Sequence, residues 1–390
     1  MGTSTLTGLI PTIYESLDIV SREMVGMIPA VTLNTSAERA ALNQQILVPI
    51  TQPASLVSNT PAVTSPDVGD HTVGNVAMTI SKSFSYPIRW NGEQQLALRN
   101  TGTYNGILLN QFSQGFRTLV NQLETDLFTA GYQSASRAYG TPGTAPFGSA
   151  TDLSDAAQVR KILDDNGCPQ SDLHLVLGSA AVANLRGKQT ILLKANENGS
   201  EEFRRTGSIS EIPLDGFMLH NSNSIKQVAA GTGASYVTSG STAVGVNSVA
   251  LVTGTGAVNA GDVVTFAADA ANKYVVNTGV AAPGTITVGT PGVRATIATA
   301  NALTVGASYT PNLAFHKSAI QLITRAPARP LGPNGEAMDA ADDVMLITDP
   351  MSGITFEVAV YRQFKQTLFL IGLAWGANAI KPDNIAILQG

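Results

Sequence analysis

A mixed α+β chain interrupted by an antiparallel β domain is the fold class this sequence predicts. Three observations carry it. Residues 103–130 hold one long helical period. Residues 225–310 shift abruptly to short β-type runs between glycine turns. Residues 344–388 return to apolar strands.

The helical period is read from Leu108, Phe112, Phe116, Leu119, Val120, Leu123 and Leu127, which fall on one broad face. Gly131 is placed to cap the end. A helix of this length suits a structural spine. Ahead of it, residues 1–30 hold an amphipathic helix. Pro11 suits a first helical position. Ile10, Ile13, Leu17, Val20 and Met24 recur at three- and four-residue steps, and Pro29 stops the run. Glu15, Asp18, Arg22 and Glu23 occupy the other faces. Such a stripe docks either on its own domain or on a neighbour. Glu15, Asp18 and Glu23 are candidates to meet a basic partner segment.

Between these helices lies a long, open β-hairpin over residues 45–90. Ile46-Leu47-Val48 forms the outgoing strand, and Val76, Met78 and Ile80 alternate on the return. The Pro-, Ser-, Thr- and Val-rich stretch from Thr51 to Gly74 has no helical period. A structureless loop of about twenty residues is uncommon within a compact domain and is usually disordered or wraps a partner. Lys82, the hairpin's only lysine, reads as a solvent-facing residue that discourages wrong strand pairing.

After the spine, a helix is expected over about 152–166 with Gly167 at its end. A strand Leu173–Leu177 and a short helix Ser179–Leu185 follow. Glu201–Arg205 is the densest charge cluster and reads as a loop. Residues 225–310 carry only Lys226, Asp262, Asp269, Lys273 and Arg294 as charges. Their β runs are Ser248–Val252, Asp262–Ala267, Lys273–Asn277, Thr285–Val288 and Val293–Ala298. These predict a small antiparallel barrel or sandwich inserted into the α/β pattern and folding on its own. Strands then return at Val344–Thr348, Ile354–Val360, Thr367–Leu373 and Ile385–Leu388.

Composition narrows the function. Charged residues make up 13% of the 390, about half the usual share. Two readings stay open: a β-rich globular protein, or a subunit that buries much of its surface against neighbours. The net charge of −5 provides no basic nucleic-acid footprint. Cys168 is the only cysteine, which excludes an intrachain disulfide and fits a reducing cytoplasm. No signal-peptide pattern opens the chain, and its longest apolar stretch, Leu368–Trp375, is too short to span a bilayer.

Catalytic signals are weak throughout. There is no G-x-S-x-G, C-x-x-C, H-E-x-x-H or EF-hand spacing. His71, His174, His220 and His316 lie far apart in sequence. Cys168 follows a helix C-terminus, where the dipole raises a thiol pKa. Arg186-Gly187-Lys188-Gln189-Thr190 lacks the earlier glycine of a phosphate loop, since Val182 stands there. Gly231–Gly233 and Gly254–Gly256 read as turn glycines. The expectation is no catalytic residue, no cofactor and no metal.

The order of terminal helix, extended hairpin, spine helix, α/β region, β insertion and returning strands resembles the major capsid proteins of tailed bacteriophages. Their fold is shared with the herpesvirus shell. The insertion makes the chain most similar to coat proteins of short-tailed phages. Asn312–Lys317 followed by Ala319–Leu322, Ala260–Phe266 and Asp172–Leu177 are the stretches that look like the family's strands. The resemblance implies an N-arm (1–44), an E-loop (45–90), a spine helix with P-domain (91–150), and a first A-domain part (151–224). An inserted barrel (225–310) and A- and P-domain return strands (311–390) follow.

It also implies a function. The chain would self-assemble into hexamers and pentamers of an icosahedral procapsid in the host cytoplasm, which expands on packaging double-stranded DNA. Its partners would be other copies of itself, a separate scaffolding protein, a portal protein and the packaged DNA, with no membrane. A separate scaffold is implied because the N-arm begins almost at once. The charge-poor insert offers little for the charged bridging loop that relatives carry. The candidate assembly residues are Ile13, Leu17, Val20, Met24, Glu15, Asp18, Val76, Met78, Ile80 and Lys82. The competing reading is another phage structural protein of tail-tube or decoration type.

Overall fold

The computed structural model describes residues 9–23, 26–50, 61, 74–100, 102–149, 153–187, 213–336 and 338–390. Met24, most of the hairpin connection, His71 and the Glu201–Arg205 cluster lie outside the described residues.

The first helix, α1 (Ile10–Ser21), has Pro in its first turn, and Ile13, Leu17 and Val20 are buried. Strand β1 (Thr32–Ala40) follows. Then β2 (Gln45–Ile50) pairs antiparallel with β3 (Gly74–Thr79) as a separate two-stranded sheet. The hairpin expected over 45–90 is therefore divided. Its last part is β4 (Lys82–Asn91), which leaves the hairpin to pair with a late strand of the body. A short helix, α2 (Gly92–Asn100), leads to α3 (Tyr104–Ser134). At 31 residues α3 is about 46 Å long. Every apolar residue assigned to its inner face is buried. Gly131 does not cap it. The helix continues to Ser134, and Gly131 is buried where a Cβ would stand 2.7 Å from Leu313 Cδ1. The glycine serves close helix–sheet packing, a role that local sequence cannot distinguish from a cap.

The body has two sheets. β5 (Arg137–Tyr139), β6 (Leu173–Leu177), β7 (Phe217–Asn221), β14 (Pro311–His316) and β19 (Ile385–Gln389) form one, in the order β5-β19-β14-β6-β7. Helices α4 (Ser154–Asp165) and α5 (Ser179–Gly187) share a compact apolar core with it. Gly167 ends α4 in the left-handed region at φ +77. The other sheet runs β1, β15 (Ile320–Pro327), β18 (Gln366–Ala379), β17 (Thr355–Gln363), β16 (Ala341–Thr348). Strand β18 takes β17 and then β15 along one edge and β4 along the other. The face under α3 forms the main core with α1.

Between β7 and β14 in sequence lie β8 (Tyr236–Thr238), β9 (Ser248–Val252), β10 (Val263–Phe266), β11 (Asp269–Thr278), β12 (Thr285–Val288) and β13 (Ala302–Val305). The pairings β10-β13-β8-β9-β12-β11 close back through β10–β11, so these six strands form a closed barrel. Closure removes free edges. Its interior is filled by Tyr236, Val249, Leu251, Phe266, Tyr274, Ile286 and their neighbours. The expected strand Val293–Ala298 is instead an irregular segment. Its Val293 and Ile297 still point into the core, and Ile297 bridges Thr242.

The barrel is joined to the body. Lys273 and Tyr274 of β11 pair with Ala138 and Arg137 of β5, making the barrel continuous with the α/β sheet. Buried Arg137 donates to Asn272 Oδ1 (3.0 Å), Asp165 Oδ2 (3.2 Å) and the Ile162 carbonyl (3.3 Å). Arg294 donates to the Asp165 carbonyl. Asp262 and Asp269 also bond within the chain, to Gly231 and Asn259 N–H and to Tyr274 and Asn272. Of this segment's few charges, Asp262 and Asp269 thus hold its own turns, while Lys273 and Arg294 reach the body, at the Gly140 and Asp165 carbonyls.

Candidate functional site

Five of the ten residues expected to form an assembly surface, Ile13, Leu17, Val20, Met78 and Ile80, are buried within the chain itself. Ile13, Leu17 and Val20 are buried in the same core as Phe112, Phe116, Leu119 and Leu123 of α3. In this arrangement the apolar stripe of α1 is not available to a neighbour. Met24 lies outside the described residues. Glu15 is exposed, and Asp18 pairs with Arg22 one turn on, at 2.6 Å. Glu23 is held by both arms of Arg117 on α3, each bond 2.8 Å. That guanidinium keeps the Glu23 carboxyl below its usual range. Ser21 donates to Asp349 Oδ1 at 2.6 Å, tying the same helix to the β16–β17 turn.

A further tether is Glu124, a buried carboxylate on α3 absent from any sequence expectation. Its Oε2 accepts the Met27 N–H (2.8 Å) and the Ser222 hydroxyl (2.9 Å), and its Oε1 accepts the Ile28 N–H (2.8 Å). One side chain therefore joins the spine, the segment after α1 and the exit of β7. Burial outweighs these donors and raises its pKa. Only its position inside an apolar helical face, between Leu123 and Leu127, could have flagged it.

The hairpin candidates divide in the same way. Met78 and Ile80 are buried with Ala40, Ile323 and Ala374, so they anchor the hairpin base to the body. Val76 is half-buried opposite Val48, while Leu47 on the other face is exposed. No other described strand pairs with the outer edge of β2 or of β3. Lys82 is not a free edge lysine. Its Nζ donates to Asp126 Oδ1 on α3 at 2.6 Å, and Asp126 Oδ2 accepts Trp375 Nε1 at 2.8 Å. The partner stands 44 residues away, beyond any local pattern.

The fold also assembles a histidine pair that sequence spacing hid. Adjacent strands β6 and β7 bring His174 Nδ1 within 2.9 Å of His220 Nε2. Burial, then the His220 charge, pushes His174 down to about 4, with Lys317, His316 and Asp172 as the other facing groups. The folded state thus binds fewer protons than the unfolded state below the ordinary value of 6.5. This contribution is present above 6.5 and lost as pH falls toward 4, roughly 3 kcal/mol in all. His174→Gln should give a shallower loss of stability between pH 7 and 4 than the parent in urea titrations. Equal slopes would contradict the assignment. Cys168 is buried, and burial with nearby Asp383 and Asp164 pushes its thiol up to about 11; the direction is the one expected, but burial is the main cause in place of the helix dipole. Among the described residues, no three His, Cys, Asp or Glu side chains are grouped to hold a metal, and no helix is long and apolar enough to cross a membrane.

No described protein family matches the chain, and no curated protein does. Several solved structures are similar to it. A structure from Mycobacterium phage Che8 aligns over 89% of this chain and 84% of its own, at TM-score 0.43 and 12% identity. The capsid structure of the cyanophage P-SCSP1u aligns over 92% and 86%, at 0.44 and 12%. The virus-like particle from Pyrococcus furiosus aligns over 97% and 98%, at 0.44 and 9%. All three TM-scores lie below 0.5, so the functional reading rests on this chain's own architecture.

Proposed function

We propose that this chain is a structural subunit of a phage-type capsid, the major shell protein, and acts by self-assembly. One observation carries the reading. The β2–β3 hairpin forms a sheet of its own, apart from both body sheets, with both outer edges unpaired among the described residues. Two strands alone are marginal in water, and open edges are templates for pairing with another chain. The body behind it is continuously packed: a 31-residue helix lies under one sheet, and a barrel is joined to the other. A packed body with an extended arm suits a lattice in which each copy's arm is covered by the next.

On this reading, copies form hexamers and pentamers of an icosahedral procapsid in the host cytoplasm. A separate scaffolding protein and a portal protein are its partners, and the shell expands on packaging double-stranded DNA. Purified chain, alone and coexpressed with its neighbouring genes, should give closed shells by negative-stain microscopy. Tubes would favour a tail-tube protein. Monomers that persist at high concentration would overturn self-assembly altogether.

A further inference from the structure

Phe364 is 87% exposed, more than any other large apolar side chain among the described residues. It is not on a loose segment. Gln363 pairs with Gln366 across a two-residue turn, and Gln366 also pairs with Asn91 of β4. The Gly92 N–H donates to the Lys365 carbonyl at 3.2 Å. Lys365 sits in the left-handed region at φ +53, with its ammonium 5.8 Å from the Phe364 ring centroid. The tip therefore holds an aromatic ring in water, which nothing in the chain's own packing requires.

An open groove of about 790 Å³ lies beside it, between this tip and the start of α2. Its walls include Trp90, Glu93, Leu96, Phe364 and Lys365, and Leu96 is itself 62% exposed. Glu93, in the first turn of α2, and Lys365, on the tip, have opposite charges, and both are exposed. No ion pair joins either to another described residue.

We propose that this groove is a contact between copies of the chain. Phe364 of one copy enters the groove of the next, and its Lys365 meets Glu93 of the partner subunit. A second copy is favoured over a foreign partner by charge. The groove wall also carries Arg362, which is already paired with Asp342. The charges left over are one cation, Lys365, and one anion, Glu93, beside Phe364, Leu96 and Trp90, so a rotated copy of the same patch satisfies both. A uniformly acidic or basic partner would match one wall and repel the other. An aromatic anchor inside a charged rim is also the usual anatomy of a strong contact. The inference rests on the shell reading and assigns one of its contacts.

Sedimentation velocity on the full chain tests it with four variants. Phe364→Ser should lower the assembled fraction at least about tenfold while circular dichroism and the melting midpoint stay those of the parent. Glu93→Lys and Lys365→Glu should each weaken assembly, and the double reversal should restore it. Parent-level assembly in Phe364→Ser would overturn the contact alone, as would a double reversal no better than the single ones. A parent chain that never associates would overturn the shell reading and the contact together.

Discussion

Replacing Glu124 by alanine is expected to lower the stability of the folded chain by about 3–5 kcal/mol. The carboxylate accepts hydrogen bonds from two backbone N–H groups and one hydroxyl, all at 2.8–2.9 Å and all buried. Without it, the Met27 and Ile28 N–H groups keep their desolvation and lose their acceptor, at about 1–3 kcal/mol each. The backbone cannot easily find a substitute. It already approaches so closely that a Cβ at Gly26 would stand 2.3 Å from Glu124 Oε2. Glu124→Gln keeps an amide oxygen as acceptor and should cost clearly less than alanine. Urea midpoints measure both losses, and hydrogen exchange at Met27 and Ile28 should quicken selectively in the alanine variant. A loss below about 1 kcal/mol would mean that water or a neighbouring group replaces the carboxylate.

Deleting residues 1–22, which include α1, should damage the folding of the body as well as its assembly. Ile13, Leu17 and Val20 are fully buried against α3. Each apolar side chain of this size contributes about 1.5–3 kcal/mol on burial. Their loss together approaches the whole net stability of an ordinary domain, about 5–15 kcal/mol. The expected result is poor soluble yield and strong binding of a hydrophobic dye, not the folded, assembly-blocked monomer that a free arm would leave. Glu15→Ala on the outward face should stay within about 0.5 kcal/mol of the parent. A truncated chain with the parent's urea midpoint would show instead that α1 belongs to a neighbour's surface.

Local elements were legible where a single period governs them. Strands Leu173–Leu177, Ser248–Val252 and Thr285–Val288 lie where alternation and glycine turns placed them, and α3 begins one residue from its expected start. Strand β1, Thr-Leu-Asn-Thr-Ser-Ala-Glu-Arg-Ala, has no apolar run to read. It exists because β15 offers a parallel edge in register from Thr32 opposite Gln321. Strands β8 and β13, of three and four residues, were missed because such short runs gain their order from closing the barrel.

Periodicity along the chain sets which faces are apolar: the stripe of Ile13, Leu17 and Val20, the inner face of α3, the alternation of Val76, Met78 and Ile80. What covers them follows from contacts between elements distant in sequence. Periodicity reports that a face avoids water, and water is excluded equally well by the same chain or by a neighbour. The same limit applies to polar groups. Lys82 with Asp126, His174 with His220, and Glu124 with the backbone at Met27 and Ile28 join residues 44, 46, and 97 and 96 positions apart. Hydrogen bonds act over about 3 Å in space, whatever the separation along the chain, so no local pattern could have announced them.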